Sequence, residues 1–389
     1  MKKYFIISLF ISALFTQYNK NLNSIRISAD LVERNNSFLT TKHYYNEEEL
    51  INFVETIMET HLIPGLSISI VSEENTIWER HFGFANIDEQ ILVNQNTKFI
   101  LSSISKTITA TALMQLYEDG LFDLDDNIND YLLFNVIHPN YPLTPITFRM
   151  LLSHTSGIKD NWNVMQYYEG DSPLELSYYI EEYLTIGGQF YNSNLNFTNS
   201  MPGTNHTYTN NGVALIGLLV ERISSQPFNE YCNEKIFEPL IMNDTYWFLS
   251  EIDNLDQVAS PYQLTGGSGD SCYFIGCGIY DQDNPCFCDF ACVNYEDCCS
   301  DYENICGEGG TGSNPENLTE YENYGYADYP SGQLRTTSNN LAKFMAMYLN
   351  GGFYNGVRIL DLETVELIKT IHYPTVNSMQ GLMLYYKNG

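Results

Sequence analysis

Basic residues are scarce in this sequence: 18 Lys and Arg stand against 48 Asp and Glu, a formal net charge of −30 over 389 residues. Nucleic acid and anionic membrane surfaces repel such a chain, so neither is expected as a partner. Long apolar runs are missing beyond the N-terminus, where the roughly 20 residues of an integral membrane span are not reached. Cysteine is nearly absent outside one cluster. Of nine, only Cys232 stands apart, in "FNEYCNEKIF", where it reads as a small buried hydrophobe on a helix. The cluster holds no histidine, which weakens a zinc reading, and no other metal site is expected. No phosphate-binding glycine loop or cofactor motif occurs, so no cofactor is expected.

What is present suffices for one large domain or two, with 44% hydrophobic residues to build a core. The opening "MKKYFIISLFISALFTQ" sets two lysines before an apolar run, the form of a secretory signal over residues 1–16. No small-x-small cleavage pattern follows Ala13, so an uncleaved signal anchor stays open. A polar segment covers 17–44. Sequons at Asn35, Asn196, Asn205, Asn243 and Asn317 are candidates for glycosylation in an extracellular, secreted protein.

From residue 45 the patterning is that of a folded domain. "NEEELINFVETIMETHLIPG" places Leu50, Ile51, Val54, Ile57 and Met58 on one helical face, with Asn46 and Glu49 spaced as a capping box. "LSISIVSEENTIWERHFGF" alternates about a "SEEN" turn and reads as a β-hairpin. After Ser103, the residues Ile104, Ile108, Ala112 and Leu116 recur at helical period, with Gly120 as terminator. "ITFRMLLSHTSGI" suggests a short helix stopped at Gly157, and "NNGVALIGLLVERIS" a buried helix. Residues 160–200 carry few periodic signals. From about 267 the composition shifts to Cys, Gly, Asp and Asn before "SGQLRTTSNNLAKFMAMYLNGG" resumes with a turn and a helix. Hairpin strands mixed with buried helices fit an α+β fold, a sheet covered by helices.

Two Ser-x-x-Lys spacings occur, Ser103/Lys106 and Ser156/Lys159. Only the first lies on a helix, where i, i+3 side chains share a face about 5–6 Å apart. Ser103 also sits near the helix N-terminus, where the dipole favours a developing oxyanion. A desolvated lysine loses its proton readily and can then accept the serine's. A tyrosine two residues before an asparagine could carry the proton further and orient substrate. With 30 tyrosines the chain has seven such spacings, but only Tyr208-Thr209-Asn210 follows a Pro-Gly loop and enters a buried helix. His154 in "LLSHTSG" reads as a helix-end structural residue, and "DLDDNIND" as a solvated turn rather than a calcium loop.

In order and spacing, "LIPGLSISIV", "FILSSISKTITATALMQLYEDGLFDLDDNINDYL", "ITFRMLLSHTSGI", "MPGTNHTYTNNGVALIGLLVERIS", "IFEPLIMNDTYWF" and "SGQLRTTSNNLAKFM" resemble the class C β-lactamase-like, penicillin-binding-protein-like serine hydrolases. The resemblance covers roughly 47–265 and 324–389. It implies an antiparallel sheet flanked by helices with a helical lobe, Ser103 as nucleophile, Lys106 and Tyr208 as its proton carriers, and Asn210 as a substrate-binding residue. The family's Lys/His-x-Gly triad is not found. The sequence stops at Gly389 where its strand should begin, and His372, followed by Tyr373 and Pro374, cannot stand in. The C-terminal strands are therefore expected to be missing.

Eight cysteines, Cys272, Cys277, Cys286, Cys288, Cys292, Cys298, Cys299 and Cys306, fall within 35 residues. An even, dense set behind a signal reads as a disulfide-stapled module, and eight cysteines allow 105 pairings. The spacing, including "CCSDY", resembles the somatomedin B domain. That resemblance implies the pairs Cys272–Cys288, Cys277–Cys306, Cys286–Cys299 and Cys292–Cys298. The expected organisation is a hydrolase domain over 45–266 and 311–389, interrupted by a module at 267–310. The expected activity is hydrolysis of a small-molecule or peptide amide or ester through an acyl-enzyme on Ser103. The alternative is a non-catalytic extracellular adhesion protein that binds a protein partner through the insert.

Overall fold

The computed structural model describes residues 4–9, 47–264 and 318–385. The cysteine-rich segment, Asn35, Asn317 and the capping residue Asn46 lie outside the described residues. Strands β1 (Tyr4–Leu9), β2 (Gly65–Ser72), β3 (Asn75–Asn86) and β4 (Ile91–Leu92) form an antiparallel sheet in that order. The expected hairpin is β2–β3, in register from Gly65↔Gly83 to Ser72↔Asn75, with an irregularity at Ile70/Val71. Residues 4–9, read above as part of a secretory signal, pair with β2 from Tyr4↔Ser72 to Leu9↔Ser67. Aromatic and β-branched composition suits an edge strand as well as it suits a signal core.

Helix α1 (Glu47–Thr60) lays Val54 and Met58 against Leu66, Ile68 and Phe82 of the sheet. On the sheet's other face the alternation of β2 turns Ser67 and Val71 toward a helix from the far end of the chain, Ser338–Leu349. There Val71 packs on Ala342 and Ala346, and the Ser67 hydroxyl meets Ser338 Oγ at 2.7 Å and His81 Nδ1 at 2.8 Å. A three-stranded sheet joins Phe99–Ile100, Arg335–Thr336 and Thr245–Tyr246, tying three distant segments beside the helical lobe.

That lobe is built on α2 (Ser105–Glu118), α3 (Phe148–Leu152), α4 (Leu176–Leu184) and α5 (Asn210–Ser224). Helix α2 ends as read: Gly120 takes φ +69° and the Leu121 N–H bonds the Leu116 carbonyl at 3.1 Å, closing the last turn. Helix α5 buries Val213, Leu215, Ile216, Leu218, Leu219 and Val220, each contributing about 1.5–3 kcal/mol of burial against the core of α2. Cys232 is buried in α6 (Phe228–Cys232), where desolvation pushes its thiol well up, as expected of an inert hydrophobe.

Two readings need correction. Helix α3 stops at Leu152, five residues before Gly157, because His154 already turns left-handed at φ +56°. Helix α4 falls in the stretch that carried few periodic signals. Its N-cap, Glu175, makes no side-chain capping bond, and the helix owes its stability to burying Leu176, Tyr179, Ile180, Tyr183 and Leu184.

The described segments flanking the cysteine-rich region come together: Tyr262–Leu264 pairs antiparallel with Leu318–Glu320. Among the described residues no helix is long and apolar enough to cross a membrane.

Candidate active site

Ser103 lies in a one-turn 3-10 segment, Ser102–Ile104, that runs directly into α2. Ser102 is left-handed at φ +46°, a strained conformation for a residue with a side chain. That kink lifts Ser103 into solvent at the leading end of the helix, while Lys106, one turn on, is buried at 4% exposure. Gly332 fits closely behind them: a Cβ there would meet the Tyr326 hydroxyl at 2.3 Å and the Ser102 carbonyl carbon at 3.5 Å.

The fold brings all four expected residues to one point. Tyr208 donates its hydroxyl to Ser103 Oγ at 2.7 Å, across 105 positions of chain. Lys106 Nζ donates to Ser103 Oγ at 3.3 Å, to Asn210 Oδ1 at 2.7 Å and to the Ser331 carbonyl at 2.6 Å. These bonds use the three donors of an ammonium, which explains how it is tolerated in a buried position. The same nitrogen stands 4.9 Å from the centroid of the Tyr208 ring.

Helix α5 sets Tyr208 and Asn210 in place. Its N-cap, Thr209, accepts the Gly212 N–H at 3.1 Å. Beneath it the Asp160 carboxylate accepts the Asn210 N–H at 2.9 Å on both oxygens, the Asn211 N–H at 3.0 Å and the Thr209 hydroxyl at 2.9 Å. Asp160 was not legible as a site residue, because nothing in its own neighbourhood points to a helix end 50 positions away. His154 is buried against Tyr208, so its structural reading acquires a place in the site. The Ser331 carbonyl was also missed. A main-chain oxygen has no residue-type signature, although the "SGQL" block around it was noticed.

The other candidates lie elsewhere. Ser156 is buried and its oxygen accepts the Ile158 N–H at 3.3 Å, away from any Ser–Lys partnership. His372 binds Arg149 Nη1 through Nδ1 at 2.6 Å and donates Nε2–H to the Leu367 carbonyl at 3.0 Å, so it belongs to a packing cluster with Asp125. In "DLDDNIND", Asp126 accepts the Asp123 N–H and the Tyr131 hydroxyl and so closes a turn. Of the sequons, Asn205 and Asn243 are exposed. Asn196 must be withdrawn as a glycosylation candidate. It is fully buried, its Nδ2 donates to the Tyr183 and Phe190 carbonyls at 2.8 Å each, and the fold leaves no room for a glycan.

A solvent-facing serine hydroxyl bonded to a buried lysine and a tyrosine, at the leading end of a helix beside an antiparallel sheet, sits in a fold of the β-lactamase/transpeptidase class. The sequence pattern of the Beta-lactamase family matches residues 50–372, and the chain belongs to that family. It is similar to penicillin-binding protein 4* of Bacillus subtilis (strain 168), 26% identical over 205 residues, 51% of this chain and 41% of that protein. The chain spans less than half the length of the curated relatives it matches first. Its fold is similar to FmtA from Staphylococcus aureus, with TM-score 0.58 and 16% identity over 92% of this chain and 81% of that one. It is also similar to D-amino acid amidase from Ochrobactrum anthropi SV3, with TM-score 0.55 and 20% identity over 82% and 74%.

Proposed function

We propose that the chain is a secreted serine hydrolase that cleaves an amide or ester of a small molecule or peptide through an acyl-enzyme on Ser103. The observation that carries this reading is the convergence of Tyr208 OH and Lys106 Nζ on Ser103 Oγ, at 2.7 and 3.3 Å. For attack, one of these donors first gives up its proton and then takes the serine's. Ser103 Oγ bonds to the substrate carbonyl carbon, and the tetrahedral oxyanion forms at the positive end of α2. The proton passes through Tyr208 to the leaving nitrogen or oxygen, the carbonyl re-forms, and water later releases the acyl group. Asn210 spends its Oδ1 on Lys106, which leaves its Nδ2–H donors for the substrate carbonyl. Family membership and the names of relatives, a penicillin-binding protein and an amidase, support amide or ester bonds as the substrate class.

The reading is tested by incubating the purified full chain with a fluorophosphonate probe and mapping the adduct. Ser103 is labelled, Ser103→Ala is not, and Tyr208→Phe reacts about 10²–10⁴-fold more slowly. A wild-type chain that stays unlabelled beside a reactive control hydrolase rejects it. Secretion rests on residues 1–16, and N-terminal sequencing of the mature protein separates a cleaved signal from a retained strand β1. We also propose a stapled somatomedin B-like module over 267–310, set into a domain formed by 45–266 and 311–389. The pairing of Tyr262–Leu264 with Leu318–Glu320 supports an insertion between them, and the module itself rests on the cysteine spacing. Mass mapping of the intact chain, with four linked cysteine pairs expected, checks it.

A further inference from the structure

Two carboxylates reach the Lys106 ammonium, each through one intervening residue. Asp160 does so through Asn210, whose N–H it accepts and whose Oδ1 accepts from Nζ. Asp328 does so through Ser331: its Oδ2 accepts the Ser331 hydroxyl at 2.9 Å, and the Ser331 carbonyl accepts from Nζ at 2.6 Å. The first carboxylate is accounted for by α5, whose leading N–H groups it caps. The second is not accounted for by any helix. Asp328 precedes the single 3-10 turn Tyr329–Ser331 without a side-chain capping bond, is 5% exposed, and has no ion-pair partner among the described residues. A buried carboxylate with so little local employment is costly, and an apolar residue or amide would serve packing better.

The turn it stabilises is also held by α2, where the Thr109 hydroxyl donates to the Pro330 carbonyl at 2.7 Å. Helix α2 and Asp328 therefore both hold the turn whose last carbonyl, that of Ser331, receives the lysine. We propose that Asp328 is a positioning residue for Lys106: by holding the Ser331 hydroxyl it fixes the carbonyl that directs the ammonium at Ser103 and Asn210. Its kinetic consequence rests on the serine-hydrolase reading, whereas its structural consequence does not.

Burial and the like charge of Asp160 push the Asp328 carboxyl up to about 6, while the Ser331 bond and Lys106 pull it back. The other groups facing it are phenols, Tyr167, Tyr179, Tyr183 and Tyr326, all raised by burial and so neutral near pH 7. Lys106 and Asp160 are thus the charges it answers to. Below about pH 6 the bond to Ser331 loses its charge assistance, which is roughly half its strength.

The test uses the full chain with 13C-labelled lysine, the Lys106 ε-methylene being assigned by its loss in Lys106→Arg. Between pH 5 and 8 this signal steps at about pH 6 in the wild type and does not step in Asp328→Asn, whose amide oxygen can still accept from Ser331. Fluorophosphonate labelling of Ser103 shows an acid limb at the same pH, flattened in Asp328→Asn and slower on the order of tenfold. A Lys106 signal that moves alike in wild type and variant overturns the proposal, whether or not Ser103 reacts. A step at Lys106 without labelling upholds it and removes the hydrolase reading instead. Should Asp328→Asn not fold, Ser331→Ala replaces it. That change keeps the charge and cuts the link, and it shrinks the step by at least half; an undiminished step overturns the proposal.

Discussion

The His154 imidazole packs against the Tyr208 phenol, with ring centroids 4.6 Å apart and planes tilted by 39°. Its Nδ1 accepts the Thr209 N–H at 3.4 Å, so the ring supports both Tyr208 and the start of α5. Burial, then the charges of Lys106 and His206, hold its pKa well below the usual value, so it stays neutral through the working range. It acts as a platform and is not a proton carrier. His154→Ala removes the platform and lets Tyr208 swing away from Ser103. Labelling of Ser103 falls about 10–100-fold, while the pH at which labelling changes stays where it was. A shifted pH profile in this variant would show that the imidazole takes part in proton transfer.

Asp160 closes the end of α5 by accepting five contacts from four donors, the Asn210 and Asn211 N–H groups, the Thr209 hydroxyl and the Asn211 amide. Charge-assisted caps of this kind are worth more than neutral ones. Asp160→Ala leaves those donors unpaired and costs about 2–4 kcal/mol in denaturant unfolding. Asp160→Asn costs less, because one acceptor oxygen remains.

Asp328 links stability to pH. Its carboxyl rises from an ordinary 3.8 to about 6 in the folded chain, so the folded state holds the proton more tightly than the unfolded one. The contribution is fully present below about pH 4 and is lost as pH rises through about 6. Asp328→Asn has no such loss. The variant gains on wild type by roughly 2–3 kcal/mol between pH 4 and pH 8, from a shift of about two pH units. Paired unfolding curves at the two pH values measure the difference. A gain that is the same at both would mean that the buried carboxyl does not titrate in this window.

Asn196 anchors the chain between α4 and the loop before α5. Besides its two donated bonds, its Oδ1 accepts from Asn161 Nδ2 at 2.9 Å. Asn196→Asp replaces two donors by a charge facing two carbonyls and destabilises by about 3 kcal/mol or more. Glycopeptide mapping of protein expressed through a secretory pathway finds Asn196 bare, including where the exposed Asn205 and Asn243 are occupied. A glycan on Asn196 in folded protein would refute the burial described for it.

Local rules made much of this chain legible. The β2–β3 hairpin follows from alternation about a polar turn, and α2 and α5 follow from apolar residues at helical period. Ser103 and Lys106 are three apart on such an element, so their proximity is a property of the helix itself. Helix α4 escaped because it is held by burial of bulky aromatic residues and lacks a capping side chain. Helix α3 is shorter than its spacing suggests because its stop is a histidine in a left-handed conformation, which spacing does not announce.

What the sequence by itself determined is the set of short-range arrangements, in which neighbouring side chains and backbone geometry decide the outcome within a few residues. The Pro-Gly loop before a buried helix singles out Tyr208-Thr209-Asn210 among the seven Tyr-x-Asn spacings, but bringing Tyr208 across 105 positions to Ser103 belonged to the tertiary structure alone. So did the two carboxylates behind the lysine, Asp160 and Asp328. Their reach depends on the packing of α2 against α5 and the turn at Ser331, and long-range packing leaves no periodic mark in the chain that produces it.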